Sequence, residues 1–92
     1  MRARKVDVNH NAIAESFEKL GWLVHRTNGD WDLTVAKSWM VMLIEVKRGP
    51  KAKATPKQVQ MASHGWPIHR VESTKDVEKL HKIAIGTIWE KT

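Results

Sequence analysis

The chain has no cysteine, no tyrosine and one phenylalanine among its 92 residues. Without cysteine there is no disulfide scaffold, no thiolate metal site and no cysteine nucleophile. The same absence suits a reducing compartment. No apolar run approaches the roughly 20 residues needed to span a bilayer. The basic start, Met1-Arg2-Ala3-Arg4-Lys5, leads into polar Asp7-Val8-Asn9-His10 and not into an apolar signal core. A secretory signal is therefore not expected, and the expected location is cytoplasmic, the host's if the chain is phage-encoded. No internal repeat and no low-complexity segment is present.

What is there is a modest apolar content, 41%, that includes five tryptophans. That supply and the length suit one small domain over residues 1–92. Sixteen Lys and Arg outnumber ten Asp and Glu, giving a net charge of +6. Such a balance favours a polyanionic partner, nucleic acid ahead of an anionic membrane, although it also serves plain solubility.

Residues 9–20 read as a helix, with Ala12, Ile13, Phe17 and Leu20 at helical spacing and Gly21 at the stop position. Trp22–Thr27 reads as a strand, and Asn28-Gly29-Asp30 as a turn. Trp31–Ala36 and Met40–Arg48 are two more strands, joined by a tight hairpin. Thr55-Pro56-Lys57-Gln58 opens a helix: Thr as N-cap, Pro at the first position, Gln at the third. Trp66–Val71 reads as a fourth strand. A last helix opens at Ser73–Asp76 and is expected to stop at Gly86, leaving 87–92 as a tail of open structure. Residues 1–6 read as a mobile basic arm. The order is helix, three strands, helix, strand, helix, an α/β domain with a mixed central sheet flanked by helices.

Three charged residues stand on these apolar strands: Asp32, Glu45 and Lys47. Buried charge is costly unless it is paired or binds a metal. A hairpin loop centred between Ser38 and Trp39 sets Asp32 across from Glu45. Side chains alternate along a strand, so Lys47 shares their face. Two facing carboxylates offer hard oxygen ligands to Mg²⁺. A metal-held water can attack phosphorus, and a nearby ammonium can orient it or offset developing charge. A structural ion-pair network is the plain alternative for the same three residues.

Asp32, followed after a hairpin by Glu45-Val46-Lys47, resembles the PD-(D/E)XK nuclease superfamily. Over about residues 4–77 the chain is more closely similar to stand-alone VRR-NUC domains, found mainly in phages. The likeness rests on Asp7-x-Asn9-His10, Leu20-Gly21, Asp32-Leu33-x-Val35 and Leu43-Ile44-Glu45-Val46-Lys47-x-Gly49. It continues through Thr55-Pro56-x-Gln58, Trp66-Pro67 and Val71-x-Ser73-x-x-Asp76.

The resemblance implies a restriction-endonuclease-like fold and a Mg²⁺- or Mn²⁺-dependent DNA endonuclease. It also implies a homodimer that cuts branched DNA such as four-way (Holliday) junctions. It places Asp32, Glu45 and the Val46 backbone carbonyl on the metal, Lys47 as the catalytic lysine and Gln58 as a supporting residue. A capping box at Thr55 would use Gln58 equally well. Trp31 stands where the family usually has proline. The first-helix ligand is open between His10 and Glu15.

Arg48, Lys51, Lys53 and Lys57 flank the site and are candidate phosphate contacts, with Arg4 and Lys5 of the arm. Trp22, Trp31 and Trp66 are expected in the core, and Trp39 exposed at the hairpin tip. A catalytically inactive DNA-binding module of the same fold is the alternative function.

Overall fold

Leu20-Gly21-Trp22 shows how locally this chain sets its turns. In the computed structural model, which describes residues 8–27, 29–47 and 53–90, the first helix, α1, covers Val8–Lys19. Gly21 follows it at φ +87°. Its N–H donates to the Glu18 carbonyl and that of Trp22 to the Phe17 carbonyl, both at 3.0 Å. This pair of bonds satisfies two terminal carbonyls and needs a left-handed residue at Gly21. The Lys37 ammonium donates to the next carbonyl, that of Leu20, at 2.5 Å, a cation at the negative helix end. A Cβ on Gly21 would sit 2.8 Å from that ammonium. Gly21→Ala is therefore expected to lower stability by about 1–2 kcal/mol, chiefly through the left-handed backbone. Urea unfolding with an unchanged m-value checks this.

The chain then forms β1 (Leu23–Arg26), β2 (Leu33–Lys37) and β3 (Met40–Val46). After a crossover through α2 (Pro56–Ser63) come β4 (Ile68–Val71) and α3 (Thr74–Glu90). The sheet order is β1-β2-β3-β4. β1–β2 and β2–β3 are antiparallel, and β3–β4 is parallel, so the sheet is mixed and β3 lies inside it. The β2–β3 ladder pairs Lys37 with Met40 and Leu33 with Ile44, the register expected for a loop centred on Ser38-Trp39. Those two loop residues both have positive φ, 50° and 69°, as a tight hairpin turn of this hand requires. Trp39 is fully exposed there, as expected.

Alternation divides the sheet into two faces. Leu33, Val35, Met42, Ile44, Val46 and Val71 form the core with Ile13, Ala14 and Phe17 of α1 and Val77 and Ala84 of α3. Trp22 closes this core, edge-on to Phe17 at 6.0 Å, and its indole N–H donates to His81 Nδ1 at 3.1 Å. Burial, and then the charge of Lys37, hold His81 below its ordinary value, so the neutral ring accepts that bond. The short helix α2 lies on the other side, against β4.

Four expectations need correction. The last helix does not stop at Gly86 but runs on to Glu90. A glycine inside a helix costs only about 1 kcal/mol against alanine, less than the turns anchored by buried Ala84 can support. Trp66 is not core; it is 52% exposed. It precedes Pro67 and the start of β4, at the sheet margin, where it stacks on half-buried Trp31 at 6.3 Å. Ala12 is exposed and Ala14 buried, because the Ile13–Phe17 stripe turns Ala12 to the far side of α1. The expected strands were also too long at their ends: Trp22, Thr27, Trp31, Asp32, Trp66 and Pro67 lie outside the ladders, as does Lys47. The basic arm, together with Arg4 and Lys5, lies outside the described residues, and so do Arg48 and Lys51.

Candidate active site

The acidic cluster forms where β2 begins and β3 ends. The regular ladder stops at Leu33–Ile44. One residue earlier, the Asp32 N–H donates to the Ile44 carbonyl at 2.9 Å instead of pairing with Glu45. The Asp32 carboxylate then takes the next free backbone donor: Val46 N–H reaches its Oδ2 at 2.8 Å. The Asp32 carbonyl accepts from Thr27 N–H at 3.0 Å. Asp32 is thus fixed at main chain and side chain, with Oδ1 left toward α1. His10 Nε2 stands 3.4 Å from that Oδ1.

Glu45 is 8% exposed in a strand of otherwise apolar side chains. Its carboxyl lies against the Asp32 carboxylate on one side and 3.4 Å from the Lys47 ammonium on the other. Burial first, then the hydrogen bond and charge of Asp32, push Glu45 up from 4.5 to about 7; Lys47 pulls the other way and loses. Two carboxylates held together resist joint ionisation unless a proton or a cation joins them. Lys47 is itself only 16% exposed at the side chain, with Glu45 as its neighbouring acid.

Asn9 seats the start of α1 over this end of the sheet. Its amide donates to the carbonyls of Lys47 and Glu72 at 3.5 and 3.4 Å. That placement brings His10 to Asp32. Glu15, further along α1, is exposed and takes no part. Of the two open first-helix candidates, only His10 therefore meets the acids.

Gln58 is buried, 7% exposed. Its Oε1 accepts from Thr55 N–H at 3.0 Å while its own N–H donates to Thr55 Oγ1 at 3.2 Å, a full capping box. Its Nε2 donates to the Asp30 carbonyl at 2.7 Å. Gln58 therefore ties α2 to the turn that carries Asp32. Lys57 lies beside it, 3.2 Å from Asp30 and open to solvent. Lys53 is also exposed.

A cleft of about 260 Å³ opens along α2 and the β3–β4 edge, lined by Glu45, Lys47, Gln58 and Arg70 with Val59 and Ile68 as its apolar wall. Arg70 is the residue that sequence reading missed. It enters only through the parallel register Glu45–Arg70, which no spacing in the sequence encodes.

Among the described residues, no three His, Asp or Glu side chains gather closely enough to cage a metal unaided. Mg²⁺ does not need such a cage. It commonly takes one or two carboxylates and keeps waters or phosphate oxygens in its other positions. The Asp32–Glu45 pair, two adjacent carboxylates, fits that demand. Comparison with family models, with curated proteins and with solved structures finds no match to this chain. Among the described residues, no helix is long and apolar enough to cross a membrane.

Proposed function

We propose that the chain is a metal-dependent DNA endonuclease of restriction-endonuclease-like fold, acting on branched DNA such as four-way junctions as a homodimer. One observation carries the reading: the carboxylates of Asp32, just before β2, and Glu45, on β3, press together, which helps push Glu45 up to about 7, and Glu45 lines an open cleft beside the half-buried Lys47 ammonium. A structural ion pair would not place a second acid against the first.

Asp32 and Glu45 would hold Mg²⁺ or Mn²⁺, with the Val46 backbone carbonyl and His10 as further candidates. A bound divalent ion lowers the pKa of water and offsets charge on phosphate oxygens. The remaining work belongs to the chain. Val46 N–H orients the Asp32 carboxylate. The Lys47 Nζ, held by Glu45, positions the attacking water and neutralises charge gathering on the phosphate. Gln58 fixes α2 against the Asp30–Asp32 segment and so keeps the cleft's width. Lys53 and Lys57 are exposed where the DNA backbone would pass, and the net charge of +6 supports that approach.

Labelled four-way junction incubated with Mg²⁺, Mn²⁺ or chelator tests the reading. Cutting is expected with either metal and not in chelator. Lys47→Ala is expected to slow cutting about a hundredfold while junction binding is largely kept. Binding without cutting, unaltered by Glu45→Ala, would instead support the inactive DNA-binding module.

A further inference from the structure

The parallel β3–β4 ladder sets Arg70 beside Glu45 and Ile68 beside Leu43. Alternation sends all four side chains to the face that carries α2. Arg70 thereby lines the same cleft as Glu45, Lys47 and Gln58.

Arg70 is also braced. Its Nε donates to Glu72 Oε2 at 3.0 Å. Glu72 is in turn held at its main chain by two helices: its N–H donates to Asp76 Oδ2 at 2.8 Å, and its carbonyl accepts from Asn9 at 3.4 Å. As a stability device the Arg70–Glu72 pair has little to offer. Both side chains are about one-third exposed, 35% and 33%, and ion pairs that open to water contribute little. As an orienting device it makes sense. A guanidinium carries five donors in a planar fork that matches phosphate oxygens. Lys47 and Arg70 both line this cleft, each steadied by an acid, Glu45 and Glu72, so a phosphate entering here would meet two oriented cations.

We propose that Arg70, oriented by Glu72, is the residue that grips the substrate phosphodiester in this cleft. Its position beside Glu45 holds the phosphate next to the acids and Lys47. The apolar wall of Val59 and Ile68 then faces the adjoining sugar. The proposal rests on the nuclease reading for the identity of the anion, and its test separates the two.

The full chain and its Arg70→Gln, Arg70→Lys and Glu72→Ala variants are titrated with labelled four-way junction in chelator across a salt series. Circular dichroism melts report folding. Cutting is then measured with Mg²⁺ and with Mn²⁺. Arg70→Gln is expected to weaken binding about tenfold and to flatten the slope of log affinity against log salt by about 0.9, the share of one phosphate contact. Arg70→Lys is expected to keep the slope but cut more slowly, because an ammonium lacks the fork.

A folded Arg70→Gln variant with unchanged affinity and slope overturns the proposal, even if the wild-type chain cuts. A flattened slope with a wild type that cuts under neither metal upholds the grip and sinks the nuclease reading. No junction binding by the wild type sinks both. If Arg70→Gln does not fold, Glu72→Ala decides: it leaves the Arg70 charge but removes the acceptor that braces it, so severalfold weaker binding on an unchanged slope supports the proposal, and unchanged binding overturns it.

Discussion

Asp32→Asn is expected to stop cutting, by roughly a hundred- to a thousandfold, while the variant folds and still binds junction DNA. The substitution isolates charge from shape. The Asp32 side chain accepts the Val46 N–H at 2.8 Å, and an amide oxygen can accept the same bond. The hairpin end is therefore preserved. What is lost is one of two negative charges on which a divalent ion depends. A second readout belongs to the same variant. The Asp32 carboxylate, after burial, is the main cause that raises Glu45. With that charge gone, Glu45 is expected to titrate at lower pH. Carboxyl-resolved NMR across the pH range follows this directly, apart from any assay of cutting. Undiminished cutting by a folded Asp32→Asn chain would remove the basis for a metal between the two acids.

The second large effect concerns stability in the absence of metal. Glu45 lies at about 7 in the folded chain against an ordinary 4.5. Between those values the folded chain binds more protons than the unfolded one. Stability from this group is therefore complete below about 4.5 and is lost as pH rises through about 7. The interval corresponds to a loss of at most about 3 kcal/mol, a large part of what a small domain has. Thermal melts of metal-free protein are expected to shift down across that window.

Mg²⁺ is expected to reverse the shift above pH 7, by about 2.7 kcal/mol when present at a hundred times its dissociation constant, and to release protons on binding. Glu45→Gln is expected to melt higher than wild type at alkaline pH and to ignore Mg²⁺. His81 acts in the opposite sense: held below its ordinary 6.5, it loses its contribution as pH falls below that value. Both chains carry His81, so their difference isolates Glu45. A wild-type melting temperature that is flat from pH 5 to pH 8, equal to that of Glu45→Gln, would contradict the raised value.

The parts of this fold that were legible in the sequence are those set by near neighbours. Gly21 stops α1 because one residue must turn left-handed. Thr55 and Gln58 start α2 by bonding each other. Ser38-Trp39 fixes the hairpin register, and with it the approach of Asp32 to Glu45. The parts that were not legible depend on distant partners. Trp66 looked like core by composition, yet its seat on Trp31 at the sheet margin leaves half of it in water. Gly86 looked like a stop, but the helix continues through it to Glu90. Arg70 faces Glu45 only because β3 and β4 run parallel in one register, and the connection through α2 leaves that register unwritten. The meeting of His10, and not Glu15, with the acids needed the anchorage of Asn9 on the residues that follow β3 and β4.

The tight turn at Ser38-Trp39 also bears on the order in which the molecule assembles. A short loop is closed at little entropic cost, whereas contacts across most of the chain wait for the rest to collapse. The two acids are joined through such a loop; Asn9 meets Glu72 across a separation of 63 residues. The acidic pair is therefore expected to come together while the hairpin is still wet, where water and a stray proton soften the encounter. The dry surroundings that sharpen it are expected only once the helices dock on the sheet.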